Sequence, residues 1–502
     1  MFDRRPRSVR KPLASVSLIA SLALFIAPLS GADAAPRAKK DQRHCKPSAA
    51  VKLSKTVPRP AVTGPIGDEG IRTGEPYAAT MAPLPGGWVE QEFFFSGTAR
   101  TYSGSGGSSE YRQRILVRRP TSRAEFNGTI VFNWNNVTVP HDGNPVGWES
   151  VYDTVYSRGF AFVSVSVQRI GTDGPLGLKQ YDPVRYGTLN HPGDGYSLDI
   201  FSQAAQAAIT PKVMGNLLPC VQRRLAMGAS GSSDFLKTYL DDAHKKARVF
   251  DGYQPQINIT GYRVPRNLVP ILWVNSQSDA PGNPKRDADK GLVRVWQLPG
   301  IAHINYSWAT YQSAQLTYDY SNGLAGEWDT EEAGAWGYQA PAPGVCLPDN
   351  YYPSSYAWGA ALVALDKWVR TGVAPKPQPR LAQTGSGDLI FDKHGNAVGG
   401  VRSPFVDVPI ATYHVGVGLV PEPSDTEDPC GRIGGRIPLK GTTKVFDAAT
   451  LAELYPTPSV YIKKFNAAID RALAAGTLLP EGAKDLRRRA RYAAQFIADT
   501  TG

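Results

Sequence analysis

Cysteine is scarce in this chain. The 502 residues hold four, Cys45, Cys220, Cys346 and Cys430, widely spaced and without a C-x-x-C pair. That argues against a zinc knuckle or a dithiol redox motif. In an exported chain one disulfide is expected. Cys346 and Cys430 both sit in Pro/Gly-rich loops and are the expected pair, against the alternative of four free thiols. A charge of one sign is missing too, once the first 46 residues are set aside. They carry ten Lys/Arg and three Asp, so +7 of the net +11 lies there; the 45 basic and 41 acidic residues that follow nearly cancel. Basicity therefore makes no case for a nucleic-acid partner, and Arg487, Arg488, Arg489 and Arg491 read as a solvated helix face. The N-terminal apolar run Leu13–Leu29 has 17 residues, just short of a bilayer crossing. Internal repeats are absent.

That apolar run follows Arg4, Arg5, Arg7, Arg10 and Lys11, and leads to Ala32-Asp33-Ala34 before Ala35. A basic start, an apolar middle and a small-residue exit form a secretory signal peptide over residues 1–34. Arg4-Arg5 is a poor twin-arginine match, so the general route is expected. The mature protein would be periplasmic or secreted, with no stable membrane anchor. Residues 35–60 read as a disordered basic leader.

The chain as a whole is 42% hydrophobic, enough for a large core. Strand signals run through Glu90–Phe95, Tyr111–Val117, Gly128–Trp134, Ala161–Val167, Pro270–Asn275 and Val293–Leu298. Helix signals run through Ser197–Ile209, capped by Ser197, and Tyr356–Arg370. Strands alternating with helices predict a mostly parallel sheet with both faces covered. The first strands, joined by short turns, suit an antiparallel edge. The core would span residues 61–380. Residues 305–350 form an aromatic-rich insertion, either a wall or lid over a cleft or ordinary packing. Residues 381–502 form an extension packed on the core, with two helices near Tyr461–Ala475 and Glu481–Ile497.

Leu225 to Ser232 (LAMGASGS) is a short apolar run ending at a serine between small residues, and a helical segment follows. This is the pattern of a nucleophile elbow, whose strained turn demands small neighbours. The common form is G-x-S-x-G; here the last place is Ser232. Two further strand–loop units follow, ending in Asp279 and in Gly300-Ile301-Ala302-His303. The order Ser, Asp, His is that of an α/β-hydrolase. Serine needs an imidazole to take its proton, and the imidazole needs a carboxylate to fix its tautomer. Of the seven histidines, three follow the acid. His394 sits in a hairpin turn and His414 in an irregular stretch, which leaves His303. For the acid, Asp279 is preferred and Asp251, after Arg248-Val249-Phe250, is the alternative; Asp287 and Asp289 read as solvated. The oxyanion would meet the backbone N–H of Gly231 and one from Asn136 or Val137, in the loop after a strand. His191-Pro192-Gly193-Asp194 reads either as functional or as a loop anchoring the next helix.

Taken with Glu90–Ala99, Asn133–Thr138, His191–Ala204, Gly399–Pro404 and Val406–Pro409, these residues resemble a family of bacterial α/β-hydrolase domain proteins, usually exported, from about Gly64 onward. The resemblance implies the fold and a serine-hydrolase triad, carried here onto Ser230, Asp279 and His303. Two places depart from it. Gly231 stands where the family often has Gln, and Gln277 stands where many members have an acid. The expected activity is hydrolysis of a small-molecule ester without metal or organic cofactor. An acyltransferase on the same triad and a non-catalytic binding protein are the alternatives.

Overall fold

The computed structural model describes residues 53–71, 75–102, 106–138, 141–143, 145–258, 269–280, 291–321, 350–415 and 441–498. The expected signal peptide, most of the leader, most of the aromatic insertion, Asp287, Asp289 and the two cysteines of the expected Cys346–Cys430 pair fall outside them. Cys220, the one cysteine among the described residues, is disulfide-bonded, which removes the alternative of four free thiols. Among the described residues no helix is long and apolar enough to cross a membrane.

Among the described residues nine strands form one sheet: β1 (Ala61–Thr63), β2 (Trp88–Arg100), β3 (Ser108–Pro120), β4 (Thr129–Trp134), β5 (Ala161–Val165), β6 (Arg223–Ala229), β7 (Gly252–Gln256), β8 (Ile271–Ser276) and β9 (Val293–Leu298). Their order is β1-β2-β3-β5-β4-β6-β7-β8-β9. The leading pairs are antiparallel and everything from β5 to β9 is parallel. The expected α/β architecture is the observed one.

The period of two along each strand explains the layering. Val131, Phe162, Leu225, Met227, Leu272, Val274 and Trp296 point to one face. Their neighbours Ile130, Phe132, Val163, Ala226, Ile271, Trp273 and Val295 point to the other. Parallel strands buried on both sides must be apolar throughout, as these are. Helix Ser355–Thr371 covers the first face through Ala361, Leu362 and Leu365. Helices Ser197–Ala208 and Gly231–Thr238 cover the second.

The C-terminal segment completes the first face. A small antiparallel pair, β10 (Ala411–Val415) and β11 (Gly441–Val445), packs there with helices Pro458–Ala475 and Pro480–Ala493. Phe465, Ile469, Leu486 and Ala490 share one apolar core with Leu225 and Trp296. Of the aromatic insertion, helix Tyr306–Ser321 is described. Tyr311 accepts the Met81 amide at 3.0 Å and its ring lies 6.4 Å from that of Tyr152.

Three local expectations need correction. Residues 53–60 are not disordered: Val57 is buried, and the Gln206 amide donates to its carbonyl at 3.1 Å. Ser197 is already helical, after a 3₁₀ turn at Asp194–Tyr196, and so does not cap. His414 lies on β10 rather than in an irregular stretch, because pairing with β11 supplies order that its own sequence does not signal.

Candidate active site

The elbow forms where β6 stops. Ser230 has φ 57° and ψ −128°, a left-handed backbone that costs a residue with a Cβ about 1–3 kcal/mol. Its surroundings hold it there. Its amide donates to the Gln256 carbonyl at 3.0 Å, and its carbonyl accepts from the Ser233 amide and hydroxyl, both at 2.8 Å. Space is tight at Gly228: a Cβ there would lie 3.0 Å from the Ser232 carbonyl oxygen. Helix Gly231–Thr238 then begins at once, so Ser230 sits over a helix N-terminus.

Asp279 follows β8 and His303 follows β9, which puts both at the same end of the parallel strands as Ser230. His303 Nε2 is 3.0 Å from Ser230 Oγ, and His303 Nδ1 is 2.8 Å from Asp279 Oδ1. A carboxylate can only accept, so Nδ1 carries the hydrogen and Nε2 is left to accept from the serine. Asp279 and His303 are buried. Ser276, Gln277 and Ser278, at the end of β8 and just after it, support the acid and the histidine loop. Ser276 Oγ donates to Asp279 Oδ2 at 2.6 Å, Gln277 Oε1 accepts the Gly300 amide at 2.7 Å, and Ser278 Oγ accepts the His303 amide at 3.1 Å. Gln277 thus replaces an expected acid with an acceptor for a backbone amide. Reading the sequence alone missed these three supports, although their polar run Ser276-Gln277-Ser278 after a buried strand was the available signal.

Asp251 is at the wrong end. It precedes β7, and its carboxylate accepts the Arg224 amide at 2.8 Å near the start of β6. Six residues of strand, about 20 Å, separate Arg224 from Ser230. His191 donates from Nε2 to the Val167 carbonyl at 2.9 Å and accepts the Gly193 amide on Nδ1 at 3.2 Å, so its loop is an anchor. Its burial pulls the imidazole pKa down. His394 sits in the expected hairpin turn, against Phe446.

Beside the elbow, the loop after β4 supplies backbone amides. The Asn136 amide donates to the Gly143 carbonyl at 2.6 Å, which withdraws it from the expected oxyanion role. The Val137 and Gly231 amides have no partner among the described residues. Thr138 Oγ1 would lie 3.1 Å from a Cβ on Gly231, so this loop comes close above the elbow. The arrangement offers a nucleophilic hydroxyl, a base oriented by a carboxylate, and two backbone amides, of Val137 and Gly231, left unpaired among the described residues.

One buried acid nearby has a measurable consequence. Glu149 accepts from Ser307, four residues after His303, and burial pushes its pKa up to about 7. Burial and Asp485 also push Asp153 up to about 6. A folded acid that holds its proton more tightly than the unfolded chain contributes stability fully below the unfolded value and loses it as pH rises through the folded one. For Glu149 that window runs from about 4.5 to about 7. Glu149→Gln is expected to flatten the fall in urea midpoint between about pH 5 and pH 8; a slope equal to wild type would assign the titration elsewhere.

A profile of a family described as alpha/beta hydrolase domain matches residues 60–488. No curated protein matches the chain. Solved structures give remote likenesses. Esterase Est22 is 12% identical over 38% of this chain and 64% of its own, with a TM-score of 0.26. Brefeldin A esterase, a bacterial homologue of human hormone sensitive lipase, is 11% identical over 40% and 64%, at 0.25. An S-formylglutathione hydrolase from Agrobacterium tumefaciens is 13% identical over 46% and 95%, at 0.27. The chain therefore spans 64% of the length of the first of these structures.

Proposed function

We propose that this chain, which belongs to the alpha/beta hydrolase domain family, is an exported serine hydrolase that cleaves small carboxylic esters. The observation that carries the reading is the chain of two hydrogen bonds, 3.0 Å from Ser230 to His303 and 2.8 Å from His303 to Asp279, at a serine held with positive φ. Ser230 Oγ attacks the ester carbonyl while His303 Nε2 takes its proton. Asp279 orients the ring and stabilises the cation. The Gly231 and Val137 amides receive the oxyanion. His303 then gives the proton to the departing alcohol, and water releases the acyl group by the same steps in reverse. The chemistry runs on side chains, backbone and water. The leader pattern of residues 1–34 and the disulfide at Cys220 support export.

The test is labelling of the mature protein with a fluorophosphonate probe, beside Ser230→Ala and His303→Ala. Labelling of wild type that both substitutions abolish is expected. A folded wild type that takes no label would sink the reading. Turnover of p-nitrophenyl esters of graded acyl length then defines the substrate, and an ester product formed with added alcohol would make the same site an acyltransferase.

A further inference from the structure

Two hydrogen bonds cross between the elbow and the loop beside it, in opposite directions. Asn136 Nδ2 donates to the carbonyl of Ala229, the residue before Ser230, at 2.8 Å. Ser232 Oγ donates back to the carbonyl of Asn135 at 3.2 Å. Asn136 makes a second contact: its Oδ1 accepts the Thr138 amide at 2.8 Å, closing an Asx turn around Val137. One side chain thus fixes both the separation of the loop from β6 and the direction of the Val137 peptide.

Ser232 occupies the last place of the elbow pattern, where glycine is usual. Its side chain is buried, at 1% exposure, and its hydroxyl reaches the loop. The departure from glycine therefore adds a tether. Below it the loop is already stiff. Asn136 and Gly143 exchange two backbone bonds, at 2.6 and 2.9 Å. Asp142 Oδ2 accepts from Arg114 at 3.0 Å, Asn135 at 3.1 Å and Ser166 at 2.5 Å. What remains to be set is the gap between this rigid loop and the elbow.

From this geometry we infer that Asn136 and Ser232 are paired positioning residues, a reciprocal clamp that spaces the Gly231 and Val137 amides for one oxyanion. The inference rests on the serine-hydrolase reading. Donors for an oxyanion act within a few tenths of an ångström, and a displacement of 1 Å costs about 100-fold in rate. A clamp that acts on the transition state lowers kcat and leaves KM nearly alone.

The experiment measures p-nitrophenyl butyrate turnover by wild type, Ser230→Ala, Asn136→Ala, Ser232→Ala and the double variant, per serine titrated with fluorophosphonate. Inhibition by phenylboronic acid, which presents a tetrahedral oxyanion mimic, is read alongside. Asn136→Ala is expected to lose about 100-fold in kcat, with KM within about 3-fold and weaker boronate inhibition. Ser232→Ala should lose about 10-fold, and the double variant no more than Asn136→Ala, because the two act on one gap. Asn136→Asp keeps the acceptor for Thr138 but not the bond to Ala229, and carries the same expectation should the alanine variant not fold. Single variants with wild-type kcat per titrated serine, or losses that multiply in full, overturn the clamp. A wild type without Ser230-dependent turnover overturns the underlying reading instead.

Discussion

Asp279→Asn is expected to lower kcat by about 10⁴-fold while the thermal midpoint stays near that of wild type. Asp279 accepts from His303 Nδ1 at 2.8 Å and from Ser276 Oγ at 2.6 Å. An asparagine fits the same space but turns an acceptor into an amide donor. With that NH₂ facing the ring, Nδ1 must accept and Nε2 must carry the hydrogen. Nε2 then cannot take the proton of Ser230, 3.0 Å away. Steady-state kinetics of the purified variant read this directly, and a loss below about 10-fold would remove Asp279 from the role. Asp251→Asn is the matched control. Its carboxylate holds the Arg224 amide at the far end of β6, so the rate should stay close to wild type.

The second large effect is on stability. Arg114 is 1% exposed, on β3, and its guanidinium bridges Glu92, Asp142 and the Tyr77 carbonyl. Glu92 in turn takes Arg185 at 2.7 Å and Tyr186 at 2.9 Å. Burial alone would drive the proton off Arg114, but Glu92, Tyr186 and Asp142 together hold its charge and raise its pKa. Arg114→Ala leaves two carboxylates buried without this partner and is expected to destabilise the fold by about 3–5 kcal/mol. Arg114→Lys should recover little, since a point charge cannot reach three partners arranged for a planar fork. Urea unfolding tests both. A loss under about 1 kcal/mol for the alanine variant would show that solvent replaces the guanidinium at that site.

This ladder also shows where reading the sequence stops. The alternation in Tyr111–Val117 marks a strand, and the strand is there. Nothing local says that its polar side is covered by residues 77–78 and by Arg185, which arrive from elsewhere in the chain. The order Ser230, Asp279, His303 was legible because each residue ends a buried strand, and in a parallel sheet all such ends lie together. Asp251 misled because it stands before β7 rather than after it, and β7, with two glutamines and a proline, carries little strand signal. Asn136 was found for its amide, yet that amide is used within the loop, and the side chain makes the contact with the elbow. Side-chain to backbone bonds of this kind depend on two segments meeting, which composition and periodicity do not encode. Ser232 looked like a tolerated small residue until its hydroxyl was placed on Asn135.

The first face of the sheet has a consequence for how the molecule comes into being. Val131, Leu225, Leu272 and Trp296 lie under helix Ser355–Thr371, in one apolar core with its Ala361, Leu362 and Leu365 and with Phe465, Ile469, Leu486, Ala490 and Ile497. A polypeptide made from its N-terminus has the nine described strands of the main sheet by residue 298, before helix Ser355–Thr371 that covers their first face. Until helix Ser355–Thr371 emerges, one side of the sheet stays greasy and open, and the core it joins spans several hundred residues. The apolar core on that face is thus completed in stages: the strands carrying Ser230, Asp279 and His303 come first, helix Ser355–Thr371 covers them, and helices Pro458–Ala475 and Pro480–Ala493 add the outer part of the core.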